Sequence, residues 1–372
     1  MKLLFLACLS PQTGNCTTAE RIRGHIESAG HTCVLRDVAD FKSPGDVAAL
    51  MKREPPCEGV LAIHLYKGGQ LLLGCRAPYG VIFGGTDLNE DVKDKKKLAV
   101  MEQVLKNARF AVAFSHKLKE VAELLWPTQS SKVHVHPQGV ETRVAMGFDW
   151  DDFLRSAGVN AIAEDLHVFL LVCGLRRVKD PLYLLEAFSE WHAQDQSVIL
   201  IIIGPKVDPV FAGEVEESLR RPTGVFLAEE RSQEELHAAM RRSFALVNSS
   251  VSEGMSAVIL EAMDLEVPVV ARDVPGNATI VRHEDTGLLY STPQEFVALS
   301  RRLLGDRRLA EHMVRNAKHY VAECHSSLAE RKAYRRLVDL LHRVRDTDDP
   351  PLPIGHQDPE LQECGKISCP YD

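Results

Sequence analysis

Short apolar runs alternate with amphipathic stretches along most of the chain. Uninterrupted apolar runs of this length are typical of strands that are buried on both faces of a parallel sheet. The stretches between them, such as residues 17–29 and 92–107, have the spacing of helices that pack on such a sheet. In the first half of the chain, the pattern predicts strands at residues 3–9, 32–36, 59–64, 79–83, 109–114 and 132–135.

A second strand–helix series begins after a more polar stretch at residues 147–166. It predicts strands at residues 168–173, 197–203, 224–227, 244–248, 268–271 and 287–290. Two successive α/β domains explain this repetition, each a Rossmann-like, doubly wound parallel sheet, with a ligand expected between the carboxyl ends of the two sheets. The predicted domains are an amino-terminal one at 1–150, a carboxyl-terminal one at 151–325, a basic helix at 326–345 and a flexible acidic, Pro-rich tail at 346–372.

Composition narrows the class of protein. The chain has 372 residues, of which 45% are hydrophobic and 26% charged, and its formal net charge is -8. The hydrophobic content fits a globular protein, and the acidic balance argues against nucleic-acid binding because phosphate backbones select basic faces. No apolar run approaches the roughly 20 residues of a membrane-spanning helix, so no transmembrane segment is predicted.

The amino-terminal residues MKLLFLACLS allow two interpretations. A Lys followed by an apolar run is typical of a secretory signal peptide, but this run is at the short limit and leads at once into a strand–helix unit. The nine cysteines show no CxxC pair and no regular spacing, which favours a reducing compartment over a disulfide framework. We therefore expect a buried first strand and a cytoplasmic protein; the alternative is secretion, with residues 1–10 acting as a signal.

Two carboxylates lie around one predicted helix start in the segment SEGMSAVILEAM, residues 252–263. A helix that begins near Met255 presents free backbone N–H groups that attract phosphate, and a carboxylate can accept two hydrogen bonds from a vicinal diol. This pattern predicts a site for a nucleotide diphosphate-sugar: the diphosphate at the helix end, the ribose at Glu261 and the sugar at Glu253. In the alternative, Glu253 caps the helix and Glu261 is a partly exposed helix residue. The predicted contacts at the helix end are Gly254, Met255 and Ser256.

The surrounding sequence, SSVSEGMSAVILEAMDLEVPVVARDVPGNATIVRHEDTGLLY, decides between these interpretations. It resembles the retaining glycosyltransferases of family 4, the glycosyl transferases group 1 domain. That family has Glu-Gly, seven residues to Glu-Ala, Pro-Val-Val, a Gly-containing turn and Thr-Gly-Leu-Leu in this order. The resemblance implies the GT-B architecture, in which two Rossmann-like domains face a central cleft.

A second block, LLVCGLRRVKDPLYLLEAF, agrees with this resemblance. Its residues predict a strand, a cationic turn and a helix that Asp180 caps. In the family this turn supplies an Arg and a Lys that hold the diphosphate, which the resemblance transfers to Arg176 and Lys179. These two residues and Glu253 are the implied catalytic residues, and Gly174 joins the donor-binding set.

Such a site can work without a metal, because fixed cations and a helix end stabilise the departing diphosphate. We therefore expect no cofactor, with the nucleotide-sugar as co-substrate. The other large glycosyltransferase fold binds a divalent ion through Asp-x-Asp. Asp149-Trp150-Asp151 has this form, but it lies in the stretch between the domains, and we interpret it as a linker feature.

The amino-terminal half supplies the less specific part of the site. Its first turn contains Gly14 and Asn15 but no GxGxxG dinucleotide fingerprint. In the family the equivalent Gly turn faces the diphosphate-sugar, and both this turn and GGTDLNED resemble members near the bacterial selenosugar synthases. Many relatives carry a His before the Gly of Gly-Thr-Asp, where this chain has Gly84. The candidate acceptor contacts are Thr86, Asp87, Asn89 and His116.

The sequence and the resemblance together predict a retaining hexosyltransferase that uses a nucleotide-sugar, with UDP as the expected nucleotide. The acceptor, the sugar and the oligomeric state are left open. One alternative is a binding or regulatory protein that kept the donor site and lost turnover, which the absence of the His at position 84 allows. Another is a sugar-nucleotide epimerase of the same architecture. The Arg-Lys turn and the paired glutamates favour transfer.

Overall fold

The computed structural model describes residues 1–10, 14–159, 166–221 and 224–342. Within these ranges the chain forms two compact units. The first contains residues 1–9, 15–139 and 323–342, and the second contains Ser10, Gly14 and residues 140–322. The predicted tail at 346–372 and the last three residues of the predicted helix at 326–345 lie outside the described residues.

The first unit is built on a parallel sheet with the strand order β2-β1-β3-β4-β5-β6. Its strands are β1 (Lys2–Ala7), β2 (Thr32–Asp37), β3 (Gly59–Ile63), β4 (Tyr79–Ile82), β5 (Phe110–Ala113) and β6 (Val133–Val135). Strands such as GVLAI are apolar without alternation because helices cover both faces of the sheet. The residues that follow these strands lie at the carboxyl edge, where open α/β sheets bind their ligands.

Four helices of this unit come before the second unit in the chain: α1 (Gly14–Glu27), α2 (Pro44–Met51), α3 (Lys95–Asn107) and α4 (His116–Leu125). Local capping explains where two of them begin. The side chain of Asp94 accepts hydrogen bonds from the first-turn amides of α3, and that of Ser115 accepts one from Leu118 in α4. Because α1 begins at Gly14, Asn15 lies in the first turn of a helix and not in the predicted loop.

The second unit repeats the plan with the strand order β12-β11-β10-β7-β8-β9, again parallel throughout. Its strands are β7 (His167–Val172), β8 (Val198–Ile203), β9 (Val225–Ala228), β10 (Ala245–Asn248), β11 (Val269–Arg272) and β12 (Leu288–Tyr290). Its helices are α5 (Trp150–Ser156), α6 (Leu185–Gln194), α7 (Pro209–Ser218), α8 (Gln233–Arg242), α9 (Ala257–Asp264), α10 (Pro275–Ala278), α11 (Pro293–Gly305) and α12 (Arg307–Cys324).

All twelve predicted strands are confirmed, with ends that differ from the prediction by at most two residues. The interpretation of Asp149-Trp150-Asp151 as a linker feature is wrong. Asp149 caps α5 by accepting a hydrogen bond from Asp152, and Trp150 is buried in the core of the second unit. Polar residues on the exposed face of α5 had masked this helix. No helix in the described ranges has the length and apolar content that crossing a bilayer requires.

A last helix, α13 (Ser327–His342), packs on the first unit. Its buried apolar residues recur at helical spacing: Tyr334, Leu337, Val338 and Leu341. On the same helix the carboxylate of Glu330 is buried and is held by α1. It accepts hydrogen bonds from Arg21 Nε at 2.8 Å and from His25 Nε2 at 2.8 Å. This buried charged cluster fixes the register of α13 on the unit.

His325 gives the stability of the first unit a pH dependence. Its side chain is 3% exposed, and its Nδ1 lies 2.8 Å from the carbonyl oxygen of Gln138. Burial lowers the pKa of His325 from 6.5 to about 4, against the opposing effects of that carbonyl and of Glu330. As the pH falls below 6.5, His325 therefore binds a proton in the unfolded chain, whereas in the folded chain it binds one only near pH 4. The folded state loses stability over this pH range.

We expect the free energy of unfolding to fall by about 3 kcal/mol between pH 6.5 and pH 4 through this residue. The variant His325→Gln keeps an N–H that can donate to Gln138 and removes the titration. Urea unfolding of both proteins at pH 7, 6, 5 and 4.5 measures the difference between their free energies of unfolding. The contributions of other titrating groups cancel in this difference. Parallel stability curves for the two proteins would contradict the prediction.

Candidate functional site

The segment between β10 and α9 holds a buried carboxylate. Glu253 Oε1 accepts hydrogen bonds from Lys179 Nζ at 2.5 Å, Ser250 Oγ at 2.7 Å and Asn248 Nδ2 at 3.3 Å. The side chains of Glu253 and Lys179 are 9% and 18% exposed. Burial alone raises the pKa of Glu253, but the charge of Lys179 and these three hydrogen bonds outweigh it and hold the pKa below its usual value. Glu253 is therefore an anion near neutral pH.

The turn after β7 presents the predicted cations. Arg176 is exposed and precedes a single 3₁₀ turn, Arg177–Lys179. Arg177 points elsewhere: its guanidinium lies 2.6 Å from the carboxylate of Glu214 and 5.1 Å from the ring centroid of Phe211. Arg177 is thus engaged in an ion pair, and the diphosphate contact expected of Arg176 stays a prediction.

Asp180 does not cap the next helix as predicted. It adopts a left-handed conformation with φ of 44°, and its carboxylate accepts a hydrogen bond from Arg272 at 3.0 Å. The helix α6 begins later, at Leu185, after Leu184 as its N-cap residue. A salt bridge to β11, far away in the sequence, thus overrides the local capping preference.

Glu261 lies on α9, which begins at Ala257 after a buried Ser256 and thus two residues later than predicted. The start at Ala257 places Glu261 about 6 Å along the axis from the first helical residue. Its side chain is 13% exposed, and its Oε2 lies 3.7 Å from His237 Nε2. Burial alone lowers the pKa of His237, but Glu261 and the carbonyl of Arg143 outweigh it and raise the pKa.

Two asparagines support Glu253 and were missed at the sequence level. Asn277 Nδ2 donates to Asn248 Oδ1 at 2.9 Å and to the carbonyl of Arg272 at 3.0 Å, and Asn248 contacts Glu253 as described. Gly276 allows α10 to approach closely, because a Cβ atom there would lie 2.1 Å from the carbonyl oxygen of Glu253. The only sequence signal was the Gly-Asn pair after Pro275, which indicates a turn without naming its contacts.

Within the second unit, a cavity of about 650 Å³ opens beside the turn that follows β7. It lies at the carboxyl ends of β7, β8 and β9 and has both apolar and charged walls. Its lining includes Leu175, Pro205, Val207, Lys206, Glu216 and Glu229. The position and the volume are those of a small-molecule site in an open α/β sheet.

The carboxyl edge of the first sheet holds the predicted Asn15, Thr86 and Asn89 and one residue that was missed, His64. Asn15 Nδ2 lies 3.2 Å from Nε2 of the buried His64, which no sequence argument had singled out. The sequence signal that could have identified it is a His at the end of an apolar strand, where open α/β sheets bind their ligands. Thr86 donates a hydrogen bond to Asp91 at 2.9 Å, and Asn89 donates one to the carbonyl of Gly85 at 3.0 Å.

Asp87 is not an exposed acceptor contact. It is 0% exposed, and its carboxylate accepts hydrogen bonds from the backbone amides of Leu65, Tyr66 and Gly84 at 2.7–3.1 Å. These bonds connect the ends of β3 and β4, so Asp87 is a structural carboxylate. His116 is exposed in the first turn of α4. In the described ranges, no group of three or more His, Cys, Asp or Glu side chains is arranged to hold a metal ion.

Comparisons with known proteins identify relatives of this chain. The family model described as glycosyl transferases group 1 matches residues 153–320, a range that includes Arg176, Lys179, Glu253 and Glu261. The glycosyltransferase 1 domain-containing protein 1 of Xenopus tropicalis is 56% identical over 338 residues, which are 91% of this chain and 97% of the relative.

Two solved structures show the same fold. Anabaena HepE in complex with UDP-glucose has a TM-score of 0.72 at 16% identity, over 91% of this chain and 99% of that one. Sucrose-phosphate synthase from Thermosynechococcus elongatus has a TM-score of 0.71 at 17% identity, over 92% of this chain and 99% of that one. The two six-stranded parallel sheets are therefore those of the GT-B fold.

Proposed function

Because the chain belongs to the glycosyl transferases group 1 family, we propose that it transfers a hexose from a UDP-sugar to an acceptor. The proposal includes retention of configuration at the anomeric carbon and catalysis without a metal. Support for UDP comes from HepE, a protein of the same fold that binds UDP-glucose. Arg176, Lys179 and Glu253 are the proposed catalytic residues, with Gly14, Asn15, Gly174, Gly254, Met255, Ser256 and Glu261 as donor contacts.

The observation that carries this proposal is the Lys179–Glu253 pair at the carboxyl edge of the second sheet. A diphosphate needs cations, and a sugar needs a hydrogen-bond acceptor for its hydroxyl groups. Here one cation and one carboxylate lie 2.5 Å apart, beside an exposed Arg176 and the first turn of α9. The cavity next to Leu175 opens at the same carboxyl edge of the second sheet.

Charge development in the reaction explains the choice of residues. When the bond between the anomeric carbon and the diphosphate breaks, negative charge grows on the leaving phosphate. Lys179 has three N–H donors, so it can hold that phosphate while one N–H stays on Glu253. Arg176 adds a second charge, and fixed cations of this kind stabilise a developing anion. The acceptor oxygen then attacks the same face of the sugar while the leaving phosphate takes its proton.

A protein that binds the donor without turnover is the second candidate. The observation that favours it is that two predicted acceptor side chains are engaged within the protein: Asp87 is fully buried, and Thr86 donates a hydrogen bond to Asp91. Donor hydrolysis separates the two candidates. A transferase releases UDP slowly from its UDP-sugar with water as the acceptor, whereas a binding protein is only stabilised by that ligand.

Glu261 tests the nucleotide site. We expect Glu261→Ala to weaken UDP binding by about 10–100-fold, because a ribose diol loses a charged hydrogen-bond acceptor. The measurement is the thermal shift produced by UDP and by a panel of UDP-sugars. Glu253→Ala should instead keep the UDP shift and lose discrimination among the sugars.

A matched control is Glu266→Ala, which removes an exposed carboxylate just after the same helix. We expect it to leave the UDP shift unchanged. An undiminished UDP shift in Glu261→Ala would rule out the ribose role of that residue. If no UDP-sugar stabilises the wild-type protein and none is turned over by it, the proposed donor is ruled out.

A further inference from the structure

His237 lies beside Glu261 in the second unit. It belongs to α8, which packs against α9, and its side chain is 3% exposed. Its Nε2 lies 3.7 Å from Glu261 Oε2. In the described ranges, no other Lys, Arg or His side chain forms an ion pair with this carboxylate. His237 is therefore the group that can control how Glu261 is held.

The other ring nitrogen of His237 is fixed by the chain that precedes α5. Nδ1 lies 2.9 Å from the carbonyl oxygen of Arg143 and 3.1 Å from the amide nitrogen of the same residue. The amide of Ala145 donates to the carbonyl of Glu234 on α8 at 3.0 Å, which holds this segment on the helix. These bonds keep the imidazole in one orientation, with Nε2 on the side of Glu261.

Two carboxylates of α9 face the ring, and only one of them has another cation. Asp264, at the end of α9, accepts hydrogen bonds from Lys318 Nζ at 2.8 Å and from Thr142 Oγ1 at 2.5 Å. The side chain of Arg143 is exposed and pairs with Glu141, so it does not neutralise either carboxylate of α9. The charge that the imidazole can compensate is therefore that of Glu261.

The hydrogen-bonding options of the ring differ between its two protonation states. A neutral imidazole with its proton on Nδ1 donates to Arg143 and accepts on Nε2 from the side-chain amide of Gln233, which lies 3.0 Å away. A protonated imidazole also has an N–H on Nε2, and Glu261 is the charged acceptor beside it. Burial lowers the pKa of His237, but Glu261 outweighs this effect and keeps the pKa above its usual value of 6.5.

A carboxylate that accepts one N–H can still accept hydroxyl groups. The two oxygens of an ionised carboxylate together offer about four acceptor sites, so an imidazolium on Oε2 leaves both oxygens of Glu261 able to bind a diol. The same contact stops the carboxylate from rotating. The side chain is then ordered before a ligand arrives, which favours binding.

We propose that the protonated His237 is a positioning residue of the nucleotide site, which holds Glu261 in the orientation that accepts two ribose hydroxyl groups. The inference rests on the proposed function, because it needs a nucleotide whose ribose reaches Glu261. It adds a pH control: affinity for the ribose diol falls as the pH rises through the pKa of His237. Above that pH the lone pair of Nε2 faces the carboxylate, and the hold is lost.

A comparison of UDP with its 2′,3′-dideoxy analogue isolates the diol, because titration of the phosphates is common to both nucleotides. We expect the wild type to prefer UDP by about 10–100-fold at pH 6, and this preference to be about 5-fold smaller at pH 9. Isothermal titration calorimetry measures both affinities. His237→Gln keeps a neutral N–H donor, so its preference for UDP should be the same at both pH values. His237→Leu has no donor and should lose most of the preference at pH 6.

The matched control is His283→Gln, which replaces an exposed histidine of the same unit. It should reproduce both the preference of the wild type and its pH dependence. An NMR titration of the wild-type histidine rings does not require the leucine variant to fold. UDP should raise the pKa of His237 by about 0.7, the counterpart of a 5-fold change in affinity, and the dideoxy analogue should not.

Three results would overturn the role of His237: a wild-type preference for UDP that does not change with pH, a full preference in His237→Leu, or equal binding of the two nucleotides by the wild type. In the last case Glu261 would hold no diol, although the donor site would remain. A wild-type protein that binds neither nucleotide would instead remove the proposed function itself.

Discussion

Lys179→Ala is expected to lower UDP-sugar turnover by about 10²–10³-fold, the size of effect that follows removal of one fixed charge from a developing anion. Lys179 is the cation closest to Glu253, at 2.5 Å, and it lies in the turn that presents Arg176. Its loss removes the group that stabilises the leaving diphosphate. The rate of UDP release and the affinity for UDP should fall together, because the same charge binds the product.

The same substitution is expected to destabilise the protein, because Glu253 remains as a buried carboxylate without its cation. A stability loss of about 3 kcal/mol is typical of such a broken pair. The double variant Lys179→Ala/Glu253→Gln removes the uncompensated charge, so it should regain most of that stability and none of the activity. This contrast separates the catalytic role of Lys179 from its structural one.

Arg177→Ala is the matched control, since Arg177 is a neighbouring cation whose guanidinium is bound to Glu214 and stacked on Phe211. Steady-state kinetics of UDP release for the two variants make the comparison. If Arg177→Ala were the more damaging change, the assignment of the diphosphate ligands within this turn would be reversed.

Glu330→Ala is expected to reduce the free energy of unfolding of the first unit by about 3–5 kcal/mol. Burial alone raises the pKa of Glu330, but the hydrogen bond from His25 and the charge of Arg21 outweigh it and hold the pKa below its usual value. Removal of this carboxylate leaves the largely buried side chains of Arg21 and His25 without their anion. Urea unfolding measures the loss.

The control for this prediction is Glu311→Ala. Glu311 also forms a short salt bridge, at 2.7 Å to Arg307, but its side chain is 59% exposed and that of Arg307 is 91% exposed. Exposed pairs contribute little because water screens them. Equal effects of the two substitutions would show that the buried cluster does not anchor α13.

The fold was predictable because most of the strands are runs of apolar residues, which are stable only when both faces of the sheet are covered. The run VILIII in β8, for example, is buried throughout, as a central strand of a parallel sheet must be. The assignment of Glu253, Lys179 and Glu261 to one region came from the resemblance to the family. The structure brings Lys179 to Glu253 because they follow β7 and β10, which pair side by side.

The residues that were missed act through contacts between distant parts of the chain. Nothing near Asp180 in the sequence indicates that Arg272 will hold it in a left-handed turn. Likewise, the ring of His64 meets Gly84 only because β3 and β4 pair side by side. Local patterns predict elements, whereas these contacts depend on the assembled sheet.

The order of the elements along the chain has a consequence for biosynthesis. The first sheet leaves the ribosome early, but α13, which contributes the buried Tyr334, Leu337 and Leu341 to this unit, is translated only after the second unit. The nascent first unit must therefore wait, with an uncovered apolar surface, until the whole second unit has been made. A premature stop codon shortly before Ser327 would damage the part of the protein that was synthesised first.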